Sequence, residues 1–228
     1  MTTSLPARSQ RKHTAILSAG RELFLAQGYR GTSVEQIAAA AGVSKQTVYK
    51  HFGEKHALLM AIVNDVVGGM VTPVTERIAA LARTDDLEGD LVALASEYLR
   101  SVLAEPVVQL RRLVIAEAGR VPELAAEYYD RAPEQTLRAL ADAFNHLGVN
   151  GLLDVPEPRV AAEHFAALIV GRSIDRALFF GASSTLADLV VENYVHTGVE
   201  VFLASYQAGQ RGGREDRQAP QKSRQNRR

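Results

Sequence analysis

Residues 32–55 read TSVEQIAAAAGVSKQTVYKHFGEK, and this stretch constrains the fold more tightly than any other. Thr32-Ser33-Val34-Glu35 has the form of a capping box: the Thr32 hydroxyl accepts from the Glu35 amide and the glutamate reaches back, so a short helix starts here and ends at Ala41. Gly42 can take the positive φ of a tight turn, Val43 packs inward, and Ser44 can cap a second helix whose inward positions Val48 and Phe52 are four apart. Ala38 is small enough for the two helices to cross, with Ile37, Val43 and Val48 fixing the crossing. The spacing predicts a helix-turn-helix. Before it, the apolar pattern of Ile16, Leu17, Gly20, Leu23 and Phe24 predicts a helix over 13–27 closed by Gly28; after it, another helix begins near Glu54 and continues towards Pro73.

Apolar residues recur at three- and four-residue steps through most of the remaining chain. They predict helices over 87–104, 107–119, 122–147, 158–180 and 185–206, separated by Gly, Pro or Asp-rich breaks. No alternating run specifies a strand. The expected fold is all-α, with a three-helix unit over 11–56 and a domain of about five to six helices over 57–207. Residues 1–10 are expected to form a flexible basic arm, and 208–228, rich in Gly, Gln and Arg, a disordered basic tail.

The 26 basic and 26 acidic side chains cancel formally but are segregated along the chain. Residues 1–52 carry seven basic and two acidic side chains, residues 208–228 again seven and two, leaving 12 against 22 between them. The absence of cysteine excludes disulfides, thiolate nucleophiles, thiolate-bound zinc and iron–sulfur clusters; a reducing cytoplasm fits. The longest stretches without charge are eleven residues, such as 177–187, whereas a membrane-spanning helix needs about 20 apolar residues. MTTSLPARSQRK lacks the apolar region of a secretory signal.

With Val48 and Phe52 turned inward, Lys45, Gln46, Thr47, Tyr49 and Lys50 are left outside. Lys can contact guanine, Gln can pair with adenine, Thr can touch a thymine methyl and Tyr can donate to phosphate, so the face suits the major groove of DNA. The same spacing also describes a polar, solvated helical hairpin; the local positive charge favours DNA. Arg8, Arg11 and Lys12 in and just after the arm, ahead of the expected first helix, and Arg211, Arg214, Arg217, Lys222, Arg224, Arg227 and Arg228 in the tail, either reach the nucleic acid or remain solvated.

Thr32-Ser33, Ile37-Ala38, Ala41-Gly42-Val43-Ser44 and Thr47-Val48-Tyr49-Lys50-His51-Phe52, followed by Lys55, resemble the amino-terminal domain of the TetR/AcrR transcriptional repressor family; with the first-helix pattern the resemblance covers about residues 11–60. It implies that Gln46, Thr47 and Lys50 face bases, that Thr32, Tyr49, His51 and Lys55 position phosphates, and that Phe52 joins the small core. Ser33, Ser44 and Lys45 complete the expected DNA-binding set. The resemblance further implies an all-α carboxy-terminal domain that binds a small-molecule effector and forms a homodimer through its last two long helices. The stretch VVQLRRLVIAEAGRVPELAAEYYDRAP is similar to the ligand domain of the AefR-like subgroup.

Tyr98, Arg112, Glu117, Tyr128, Tyr129, His146 and Phe165 combine apolar surface with polar handles and are the candidate effector contacts. Val160, His164, Leu168, Gly171 and Leu178 can form one stripe and Leu189, Asn193, His196 and Val201 another, as two helices per subunit of a four-helix interface; they equally suit core helices of a monomer. An enzyme is the competing class, but HExxH, GxSxG, P-loop and GxGxxG motifs are missing, and the match of Ser9 to Lys12 with S-x-x-K falls in the expected arm. The six histidines make no close metal-binding pattern, and no cofactor is expected. A helical interaction protein using the same head for a protein partner is the remaining alternative.

Overall fold

The computed structural model describes residues 7–209. The first helix, α1 (Ala7–Gly31), begins before the expected start because Ala, Arg, Gln and Lys are good helix formers. Arg8, Arg11 and Lys12 therefore stand on a helix and not in an arm; residues 1–6 and the basic side chains of the tail lie outside the described residues. α1 is interrupted at Gly28, whose φ of 76° lets the chain turn towards α2 (Val34–Ala40).

The cap of α2 differs from the expected one by one residue. Ser33 is the N-cap, its hydroxyl accepting from the Gln36 amide at 3.2 Å while the Gln36 side chain accepts from the Ser33 amide at 2.7 Å. Thr32 is buried instead, and its hydroxyl faces the carbonyls of Leu23 at 3.0 Å and Gly28 at 2.9 Å. α2 ends in a Schellman turn: Gly42 has φ 64°, its amide donates to Ala39 at 3.2 Å, and the Val43 amide donates to Ala38 at 3.0 Å. Ser44 then caps α3 (Lys45–Phe52) by accepting from the Thr47 amide at 3.1 Å.

α4 (Lys55–Ala80) runs through Pro73, further than expected. It bends by 41° between residues 55–69 and 71–83. The cause is local: Pro73 has no N–H for the Gly69 carbonyl, Gly68-Gly69 resists bending little, and the Thr72 and Thr75 hydroxyls donate to the Gly68 and Val71 carbonyls at 2.8 and 2.7 Å.

The rest is α5 (Leu87–Val102), α6 (Glu105–Glu117), α7 (Pro122–Tyr129), α8 (Gln135–Val149), α9 (Pro158–Ala166), α10 (Arg172–Phe180), α11 (Ala182–Ala187) and α12 (Val191–Tyr206). The expected helix over 122–147 is α7 and α8 joined by a π-turn, Asp130–Glu134, which widens the helix around Pro133. That over 158–180 is α9 and α10 joined by a second π-turn, Ala167–Gly171. The one expected over 185–206 is divided into α11 and α12. Among the described residues there is no strand, only an isolated antiparallel bridge between Leu153 and Gln207, and no single helix is long and apolar enough to cross a membrane.

Two apolar clusters fill the molecule. One joins Ile16, Phe24, Ile37, Val48, Leu58 and Leu59 of α1–α4 to Leu110, Val114 and Leu124 of α6 and α7. The other holds Val74 and Ile78 of α4 with α5, α8–α10 and α12, around Phe144, Phe165 and Phe202, whose ring centroids lie 5.0–5.5 Å apart.

Candidate functional site

The surface of α3 is built from consecutive residues. Val48 is its one buried side chain, Phe52 is half-buried with its ring 4.7 Å from that of His13, and Ser44, Lys45, Gln46, Tyr49 and Lys50 are exposed. Thr47 is half-buried and shares a 2.8 Å hydrogen bond with the Ser44 hydroxyl. Lys45 lies 5.6 Å from the centre of the Tyr49 ring and forms an ion pair with Glu35 of α2. His51 is half-buried beside His13; burial, with the positive charge of His13, Lys50 and Lys12, holds its pKa below the ordinary histidine value.

Two residues expected to position phosphates do other work with their side chains. The Thr32 hydroxyl is enclosed and spent on the carbonyls of Leu23 and of Gly28 at the break. Lys55 donates from Nζ to the carbonyls of Tyr29 at 3.0 Å and Thr32 at 3.1 Å and sits 4.4 Å from the Tyr29 ring centre, so its charge fastens the start of α4 to the α1–α2 connection. Ser33, by contrast, stands half-buried at the positive N-terminus of α2.

A cavity of about 290 Å³ opens between α4, α5, α6, α7, α8, α9 and the two π-turns. Val67, Val71 and Val74 of α4 line it at the bend, facing Tyr98, Ser101, Arg111, Tyr128, Tyr129 and Thr136. Of the seven expected effector contacts, Tyr98, Tyr128 and Tyr129 are there. The other four are not. Arg112 is exposed, because adjacent residues of a helix point about 100° apart and α6 presents Arg111 to the cavity. Glu117 is buried against Gly28, its Oε1 3.5 Å from where a Cβ would stand, and its Oε2 has no hydrogen-bond partner among the described residues. His146 is exposed and 3.1 Å from Asn150, and Phe165 is enclosed in the phenylalanine cluster.

Leu168, Leu189, Asn193 and Val201 line one shallow groove between the second π-turn and α12, which Val190, 63% exposed, also borders. His196 is exposed on α12 outside this groove, Gly171 lines the cavity, and Val160 and Leu178 are half-buried. His164 is exposed on α9 with Nδ1 2.6 Å from the Tyr206 hydroxyl of the same chain. No group of acidic and histidine side chains among the described residues is placed to hold a metal ion.

Residues 16–62 match the family described as bacterial regulatory proteins, tetR family, and residues 89–208 match the carboxy-terminal domain of AefR-like transcriptional repressors. The chain belongs to the TetR family. TcmR of Streptomyces glaucescens, an HTH-type transcriptional regulator, is 29% identical to this TetR-family chain over 194 residues, which are 83% of this chain and 84% of TcmR. A TetR-family transcriptional regulator from Mesorhizobium loti is 34% identical and superimposes with a TM-score of 0.78 over 89% of this chain and 100% of its own. The flavonoid-responsive regulator FrrA is 29% identical, with a TM-score of 0.65 over 87% of this chain and 98% of FrrA. The chain is thus a DNA-binding transcriptional regulator with the carboxy-terminal domain of AefR-like repressors, and not an enzyme.

Sequence reasoning missed the Val67, Val71 and Val74 wall and Arg111 of this TetR-family protein. The valines left a signal, following the i, i+4, i+7 rule around Gly68-Gly69 and Pro73; Arg111 left none that separates it from Arg112, since each stands four residues after a buried valine, Val107 and Val108.

Proposed function

We propose that the protein is a homodimeric repressor acting in the cytoplasm, which holds a pseudo-palindromic double-stranded operator through α3 of each subunit and releases it when a small molecule enters the cavity. The observation that carries this reading is a shared wall. The α7 and π-turn segment that supplies Tyr128 and Ala132 to the cavity also grips the first half of α4: Arg131 donates to Asn64 at 2.9 Å, and His56 lies 3.6 Å from Glu127. α6 makes a second connection, with Arg111 in the cavity and Glu117 against Gly28. A ligand that moves either segment acts on the start of α4, which Lys55 fastens to the α1–α2 connection, and so on the attitude of α3. Linkage requires the operator to weaken ligand binding by the same factor.

Lys45, Gln46, Tyr49 and Lys50 are the base- and phosphate-facing side chains in this reading, with Ser33, Ser44, Thr47 and His51 around them. Two-fold symmetry comes from packing the Leu168–Val201 groove against its copy, as dimerisation is typical of the family. Selection from a random DNA pool tests the head: the native protein enriches an inverted repeat, and a Lys45→Ala, Gln46→Ala, Tyr49→Ala variant does not. Equal enrichment by both would remove α3 as the reader. Sedimentation of Val201→Glu tests the groove, with monomers expected and an intact dimer telling against it.

A further inference from the structure

We infer that the cavity takes a small, flat, apolar molecule carrying one negative charge on oxygen, as an aromatic carboxylate or phenolate does, and that Arg111 holds that charge. The inference rests on the reading of the cavity as the effector site and gives that effector a chemical class.

Its walls are apolar for most of their extent, and three tyrosine rings with a valine face suit a planar body. The volume of about 290 Å³ stands at the lower end of the range for small-molecule pockets. It suits one or two rings.

Charge decides the rest. Among the described lining residues there is one cation, Arg111, and no carboxylate. Arg111 is half-buried and donates from Nε to the Tyr128 hydroxyl at 3.2 Å. A guanidinium has five N–H donors and no acceptor, so this bond leaves both Nη groups available for a bidentate partner. The neighbouring polar groups are also donors. Tyr98 is buried, which pushes its hydroxyl up to about 12 despite the opposing charge of Arg111, so it remains an O–H at neutral pH. Ser101 stands one turn further along α5 on the same wall. A partly desolvated guanidinium is costly without a counter-charge, and a ligand anion supplies it; a cationic ligand meets only repulsion.

The test compares 2-naphthoate with 2-naphthamide, nearly equal in shape and differing in charge, by calorimetry on the full-length chain. The native protein is expected to bind the acid at least about tenfold more tightly than the amide. Arg111→Gln is expected to bind both at the amide's affinity, which also reports that the variant is folded, and Arg111→Lys to recover part of the preference. Equal affinities for acid and amide in the native protein would overturn the charge assignment and leave the cavity as an effector site. Binding of neither probe, with no rise in melting temperature at millimolar concentration, would overturn both readings. An acid preference retained in Arg111→Gln would remove Arg111 as the anion holder.

Discussion

The two halves of α4 differ in what they touch. From Lys55 to Val67 the helix is packed into the cluster that carries α1–α3, with Leu58, Leu59, Ile62 and Val63 enclosed. Beyond the Gly68-Gly69 and Pro73 bend it enters the second cluster through Val74 and Ile78, and its valines face open volume. One element therefore belongs to two cores and breaks where they meet. A straight rod packed on both sides would transmit any push undiminished but would resist being pushed. A bent one, with backbone carbonyls bound by threonine hydroxyls, has a place at which two orientations can differ little in energy.

Removing packing on either side of the bend exposes the difference between the two halves most directly. Leu59→Ala, in the filled half, is expected to cost about 2–5 kcal/mol, read as a lower urea midpoint. Val74→Ala is expected to cost less, under about 2 kcal/mol, because Val74 already borders a void and has fewer neighbours to lose. Equal losses would mean that the cavity is as well packed as the head. Next in size is the joint itself. An alanine Cβ meets nothing within 4 Å at Gly68 or Gly69, so Gly68→Ala with Gly69→Ala raises helix propensity by roughly 1 kcal/mol per site without a clash. The double variant is expected to melt higher and to lose most of the roughly 5- to 150-fold ligand effect on operator affinity. Operator release as complete as in the native protein would show that the bend is not the joint.

The two regions also differed in how far they could be read from sequence, and for a physical reason. Everything that makes α2 and α3 lies within two dozen residues: the Gly42 turn, the Ser44 cap and the inward Val48 all stand where the local pattern placed them. The one local error, the cap of α2, arose because Thr32 to Glu35 and Ser33 to Gln36 both satisfy the capping-box pattern. Partners outside the four-residue box break that tie, since Thr32 is drawn to Leu23 and Gly28 while Glu35 is drawn to Lys45. The cavity draws on residues from Val67 to Gly171 across six helices and two π-turns. No local pattern sets the rotation of those helices about one void, so Arg111 and Arg112 were indistinguishable, and an aromatic core residue such as Phe165 looked like a ligand contact.

A smaller effect sharpens the picture of the head. Lys45 is tied to Glu35 by an exposed ion pair, of the kind worth at most about 1 kcal/mol. Glu35→Gln frees the lysine and removes a negative charge beside the DNA. Operator affinity at low salt should rise by about two- to fivefold, and the logarithmic salt slope should steepen by about 0.9 if Lys45 then meets a phosphate. An unchanged slope would place Lys45 off the backbone.

The smallest expected effect separates the two regions by pH. His51 is held below the ordinary histidine value of 6.5 by burial and by the positive charge of His13, Lys50 and Lys12. A lowered folded-state pKa means that the unfolded chain binds the proton more readily. The stability His51 contributes is therefore complete above about 6.5 and is lost as the pH falls through the folded-state value. Operator binding has the opposite sign. A phosphate beside His51 favours the charged ring, so complex formation takes up a proton and strengthens as the pH falls across the same window. Between pH about 7.5 and 5.5 the native protein should lose more of its urea midpoint than His51→Gln does, yet gain more operator affinity. The described residues that line the cavity include no histidine or carboxylate, and burial pushes the Tyr98 hydroxyl further above neutral pH, so binding of a neutral probe such as 2-naphthamide should be flat across this range. Operator affinity that falls in parallel with stability would take His51 away from the DNA backbone and leave it a packing residue of the head.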